Sequence, residues 1–156
     1  MTVKIDSARV LLIVFVTALG LIQIPLDIRF RLLSRRATLG ILLAVLVVVL
    51  RDTVLQGESI KRLSSPILAT SAVGLVYLVA HRASPKTVGF GDVLLVTPLG
   101  LAIAYSDLDT VLYWQLAAAS TAAIHGIAAW ATSGRQTIAF GPHLIVTAWL
   151  IMVLSV

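Results

Sequence analysis

Two aspartates in apolar surroundings are the residues of this sequence best placed to do chemistry. Asp92 closes the stretch Gly89-Phe90-Gly91-Asp92 and runs straight into Val93-Leu94-Leu95, while Asp27 follows Pro25 at the end of the apolar run 10–24. An ionisable side chain at bilayer depth costs about 3 kcal/mol even on insertion scales, so each reads as functional by default. The two glycines before Asp92 remove Cβ atoms from the backbone nearest the carboxylate and admit φ angles that other residues avoid. Two carboxyls within a few Å cannot both ionise, so such a pair shares one proton. One carboxylate can then activate a water while the other protonates or polarises a peptide carbonyl, which is aspartic-protease chemistry and requires neither metal nor covalent intermediate.

Positioning that pair falls to apolar helices. The chain has 156 residues, 59% of them hydrophobic and 12% charged, with a mean hydropathy of +1.03; soluble domains carry about 25% charge. This composition predicts an all-α integral membrane protein, a bundle of about six transmembrane helices forming a single membrane-embedded domain over residues 1–156. The expected spans are 10–24, stopped by Pro25, then about 38–50, 66–80, 89–105 with a kink at Pro98, 111–131, and 138–156 with Gly141-Pro142 near its start. The small residues of 117–123 suit close helix packing. A signal peptide cleaved near Ala18-Leu19-Gly20 is disfavoured, because the arginines directly behind the first apolar run resist translocation. Antiparallel spans bring the end of the first and the start of the fourth to the same membrane face, so Asp27 and Asp92 can be neighbours across 65 residues of sequence.

Charge and composition narrow the remaining classes. Cysteine is absent, which excludes disulfides, thiolate metal sites and cysteine nucleophiles. His81, His125 and His143 lie in different segments without ligand spacing, so no metal and no cofactor is expected. The sequence pI is near 10.3, but the basic residues sit in short loops, which points to topology signals contacting anionic lipid rather than to nucleic acid. Arg29, Arg31, Arg35, Arg36, Arg82, Lys86 and Arg135 fall on one side, and Lys4, Arg9, Arg51, Lys61 and Arg62 on the other. The first set is denser and closer to helix ends, which places it, with Asp27 and Asp92, on the cytoplasmic side of the plasma membrane. Asp6, Asp52, Glu58, Asp107 and Asp109 then lie on the outer side.

These residues resemble the type IV prepilin peptidases, which belong to the GxGD intramembrane aspartyl proteases. Gly89-Phe90-Gly91-Asp92 fits the GxGD motif, and Leu99-Gly100 falls where the family often has a second Leu-Gly. Asp27-Ile28-Arg29 with Arg36-Ala37-Thr38-Leu39 resembles the first aspartate region, and Ala139-Phe140-Gly141-Pro142 is similar to the family's Pro-Phe-Gly-Pro. The resemblance implies Asp27 and Asp92 as catalytic residues, with Gly89, Gly91, Gly141 and Pro142 supporting them. It also implies a short, peptidase-only form that cuts the basic leader of a Flp-like prepilin or pseudopilin at the cytoplasmic face. The sequence departs from the family at Leu33-Ser34, in place of Pro-Asn, and at Leu94, in place of a basic residue, so the polar shell is thinner.

Other readings use the same residues. Asp92 could be a carboxylate stabilised at a helix N-terminus, and Asp27 an interfacial partner of its arginines. A small proton-coupled transporter subunit would use both carboxylates to carry protons. A catalytically inactive relative would act in assembly. Neither the prepilin partner nor the oligomeric state is specified by the sequence.

Overall fold

The computed structural model describes residues 7–30, 34–55, 57, 63–84, 88–133 and 138–154, with the side chains of Leu19 and Phe30 excepted. Lys4, Asp6, Arg31, Leu33, Glu58, Lys61, Arg62, Lys86 and Arg135, all used in the sequence reading, lie outside the described residues. The described chain folds as six helices: α1 Ser7–Phe30, α2 Arg35–Leu55, α3 Ser64–Ala83, α4 Phe90–Ser106, α5 Thr110–Ser133 and α6 Gly141–Leu154. No strand occurs among the described residues.

Three helices, Ser7–Arg29, Arg35–Leu55 and Ser64–Ala83, are long and apolar enough to cross a membrane, fewer than the six spans expected. At 1.5 Å per residue, α4 and α6 rise only about 26 and 21 Å, short of a 30 Å hydrocarbon core. The 24-residue α5 has the length, but Gln115, Ser120, Thr121 and His125 dilute its apolar character.

α4 is the axis of the bundle and touches all five other helices. It is buried on every side from Leu99 to Ala104, the mark of a helix surrounded by protein rather than lying on a surface. α1 packs between α2 and α6, and α3 lies along α4 in the most extensive contact of the fold. Close backbone approach fixes two of these pairings. A Cβ on Gly20 would lie 2.9 Å from Ile145 Cγ2 on α6, and one on Gly100 would meet Thr70 Cγ2 at 3.4 Å and the Trp114 ring at 3.5 Å. The Trp114 indole, fully buried, donates to the Leu144 carbonyl at 3.0 Å and ties α5 to α6. Near the C-termini of α2 and α4, the Tyr105 hydroxyl donates to the buried Asp52 carboxylate at 2.6 Å.

Helix ends differ from expectation in ways that matter to the site. Pro25 does not stop the first helix: α1 continues to Phe30, with Pro25 inside it. A proline removes one internal hydrogen bond, which a packed apolar helix tolerates when its neighbours hold it. Asp27 is therefore on helical backbone rather than in a loop. α2 likewise continues through Arg51 to Leu55, which puts Asp52 on the helix, and Gly57, at φ 65°, adopts the left-handed conformation just beyond it. The sixth helix starts at Gly141 rather than at residue 138. Pro142 falls in its first turn, where a missing N–H leaves no intrahelical bond unmade.

Candidate functional site

Asp27 reaches the interior because it continues a buried stripe. Ala8, Leu12, Val16, Gly20, Gln23 and Asp27 recur every three or four residues along α1, and all are buried. That is the period of one helix face. The fully buried Gln23, one turn before Asp27, anchors this face to the start of α2. Its Nε2 donates to the Ser34 carbonyl and to Thr38 Oγ1, both at 3.1 Å, and its Oε1 accepts the Ser34 N–H at 3.0 Å. The Thr38 hydroxyl in turn donates to the Ser34 carbonyl at 3.1 Å. Sequence reasoning missed Gln23, although one amide inside an apolar run is itself a signal.

Asp92 comes to the same end of the bundle by a different route. Gly89 precedes α4 in extended conformation, φ −69° and ψ 146°. Its N–H donates to Asp92 Oδ2 at 3.2 Å, while the Asp92 N–H donates to the Gly89 carbonyl at 3.1 Å. The carboxylate thus caps the first turn of its own helix, where the positive end of the backbone dipole favours it. Neither glycine is used for unusual φ, contrary to expectation: any residue can adopt the Gly89 conformation, and Gly91 lies inside α4. What Gly89 supplies is room, since a Cβ there would sit 3.3 Å from Asp92 Oδ2.

Asp27 and Asp92 are 6% and 7% exposed, and the charge of Asp27 acts on Asp92 across the contact between α1 and α4. Two carboxylates from separate helices therefore lie within electrostatic reach of each other at one end of the bundle, inside protein. The charge of Asp92 also reaches Tyr77 on α3, a residue the sequence reading did not single out. Tyr77 packs its ring on Phe140, with centroids 6.1 Å apart. Gly141 and Pro142 follow Phe140 directly and open α6.

Residues of α3, α4 and α2 gather around Phe90, at the start of α4. His81 bonds the Val88 carbonyl through Nδ1 at 2.7 Å; a carbonyl only accepts, so the proton is on Nδ1. That bond ties Val88, the residue before Gly89, to α3. The half-exposed Phe90 ring lies between His81, at 5.6 Å, and the Arg35 guanidinium, 5.9 Å from its centroid. Beside it, Arg35, Thr38, Leu39 and Leu42 of α2 and Leu94 of α4 line an open groove of about 240 Å³. Arg29, Arg35, Arg36 and Arg82 are exposed at this end.

The histidines, which the sequence places apart, are not all apart in space. His125 Nδ1 and His143 Nε2 are 3.0 Å from each other, with His143 Nδ1 3.2 Å from Thr121 Oγ1. No group of three or more His, Cys, Asp or Glu suited to a metal occurs among the described residues. Neither a family model, nor a curated protein, nor a solved structure matches this chain.

Proposed function

We propose that the protein is an intramembrane aspartic endopeptidase in which Asp27 and Asp92 form the catalytic pair. The observation that carries the reading is that two buried carboxylates, from α1 and α4, lie within electrostatic reach of each other. Membrane embedding is supported by the three long apolar helices and by large apolar side chains on the outside of the bundle, such as Leu21 at 74% and Val54 at 76% exposure. A surface of this kind is suited to lipid rather than water. Arg29, Arg35, Arg36 and Arg82, exposed at the carboxylate end, favour the cytoplasmic side for the site.

The chemistry needs one proton shared between the two acids. The ionised carboxylate takes a proton from a water as its oxygen attacks the scissile carbonyl, and the protonated one gives its proton to the carbonyl oxygen. The tetrahedral diol then collapses: a hydroxyl proton returns to one carboxylate, the other protonates the leaving nitrogen, and the C–N bond breaks. No other reactant is consumed. The substrate class comes from the resemblance: a prepilin or pseudopilin of the Flp-like kind, cut between a short basic leader and its apolar helix.

Co-expression with such a prepilin, read as a mobility shift, tests the proposal. Asp27→Asn and Asp92→Asn should each insert normally and leave the precursor uncut. Cleavage at the wild-type rate by either variant removes the pair as the catalytic centre. A pH-driven proton flux into liposomes without any peptide would replace hydrolysis with transport.

A further inference from the structure

The histidines that join α5 to α6 are a pair the two-aspartate mechanism leaves unused. His125 is exposed on α5, and His143, half-buried, lies in the first turn of α6. His125 Nδ1 stands 3.0 Å from His143 Nε2, and on the other side of the same ring His143 Nδ1 stands 3.2 Å from Thr121 Oγ1. Thr121 and His125 are one turn apart on α5, so the His143 ring is held from both of its nitrogens by one face of the neighbouring helix.

The proton positions follow from what each atom can do. The Thr121 hydroxyl has one hydrogen and donates it to the Ala117 carbonyl at 2.8 Å, so its oxygen is left to accept. Nδ1 is therefore the protonated nitrogen of the neutral His143 ring, and Nε2 carries a lone pair that faces His125. Metal-binding imidazoles are fixed in this way, by giving the N–H of the second nitrogen to an oxygen acceptor.

The spacing suits an ion as well. With metal–nitrogen bonds of about 2.0–2.1 Å, two ligands at a right angle are about 2.9 Å apart and two at a tetrahedral angle about 3.4 Å. The observed 3.0 Å is nearer the right angle, which belongs to tetragonal copper(II) and nickel(II) sites with nitrogen and oxygen ligands. His125 joins by moving its proton from Nδ1 to Nε2, so the pair loses none. The other positions fall to water, since no third His, Cys, Asp or Glu joins the two among the described residues. α6 begins at Gly141, so the pair stands beside a helix end, where free backbone groups also call for water or other partners. The expectation of no metal rested on the separation of the histidines in the sequence, which the pairing of α5 with α6 removes.

We propose that His125 and His143, with Thr121 holding the second nitrogen of His143, bind a divalent late first-row transition ion of the copper or nickel kind, and that the ion clamps α5 to α6. The site does not rest on the peptidase reading.

The full chain, purified in detergent without a histidine tag, would be titrated with Cu2+ and followed by electron paramagnetic resonance. One equivalent should bind with splitting from two imidazole nitrogens. His125→Gln and His143→Gln should each leave one nitrogen, and His81→Gln should leave both. Thr121→Val keeps both ligands and should weaken binding about 10–100-fold, the effect of losing a partner behind a ligand. Helix content checks that each variant is folded. Cu2+ at about a hundred times its dissociation constant should raise the folded-to-unfolded ratio of the wild type about a hundredfold, and that of His143→Gln by less. A wild type that binds no Cu2+ at one equivalent, or a two-nitrogen spectrum that survives either His125→Gln or His143→Gln, overturns the site. Unchanged affinity in Thr121→Val overturns the part given to the hydroxyl, and binding without a gain in stability overturns the clamp.

Discussion

Replacing Gln23 by Leu isolates the link between the fold and the position of Asp27. The side chains are similar in volume, and leucine suits a fully buried place on α1, so the loss is confined to hydrogen bonds. Three bonds disappear, but they do not count equally. The Ser34 carbonyl still accepts from the Thr38 hydroxyl at 3.1 Å and the Thr38 N–H at 3.0 Å, and Thr38 keeps its bond to that carbonyl. Only the Ser34 N–H is left without its acceptor. One orphaned, partly buried donor costs about 1–3 kcal/mol, against which the better burial of leucine returns a fraction. The net expectation is a destabilisation of about 2 kcal/mol. Unfolding followed in mixed micelles measures it, and amide exchange at Ser34 should accelerate more than exchange in α4. Prepilin cleavage should fall with it, because α1 loses its anchor to α2 one turn from Asp27. A Gln23→Leu protein as stable as the wild type, with Ser34 exchange unchanged, would refute the view that this amide fixes α1 against α2.

Other perturbations test separate contacts. Gly20→Ala drives a methyl to within 2.9 Å of Ile145 Cγ2; that methyl sits on a β-branched carbon with little freedom, so the expected cost is about 1–3 kcal/mol. Combining it with Ile145→Ala should recover part of the loss, and strict additivity in the four-way comparison would contradict the contact. Tyr105→Phe strips the hydroxyl from the buried Asp52 at 2.6 Å and should destabilise the bundle by about 1.5–3 kcal/mol. Cleavage per folded molecule should stay unchanged, since this pair is near the far ends of α2 and α4. Trp114→Phe keeps most of the buried ring but loses the bond to the Leu144 carbonyl at 3.0 Å, with an expected cost of about 1 kcal/mol and a faster-exchanging α6.

The apolar helices and their order were legible in the sequence, and so were the two aspartates, because charge in an apolar run stands out against a uniform background. The stripe Ala8, Leu12, Val16, Gly20, Gln23, Asp27 was also present to be read as one helical face. It was hidden by the assumption that Pro25 ends the helix, an assumption valid in water and weaker where backbone groups have no solvent to turn to. Tyr77 and Gln115 could not be found by spacing. They are 38 residues apart, and only the packing of α3 and α5 against α4 brings them together. The proximity of His125 and His143 escaped for the same reason: a 5–6 helix pairing sets it, and local sequence does not report pairings.

Leu94 is where the sequence departs most from the family it resembles, because a basic residue is expected there. The structure places Leu94 on the wall of a groove whose opposite wall carries Arg35, and the Arg35 guanidinium lies over Phe90, two residues before Asp92. Positive charge therefore covers the ring two residues before the second aspartate, and it arrives from α2 rather than from α4 itself. Ser34 shows a similar exchange. It stands where the family has a polar asparagine, and it is bonded through both its N–H and its carbonyl to Gln23. Polar groups of α2 and of the residue before it thus stand near both aspartates in the chain, at Gln23 one turn before Asp27 and at Phe90 two residues before Asp92. If that substitution is functional, Arg35→Leu should weaken cleavage more than Arg36→Leu, although the two are adjacent and both exposed. Only Arg35 lines the groove and covers Phe90, so equal effects from the two would mean that these arginines serve orientation in the bilayer and nothing more.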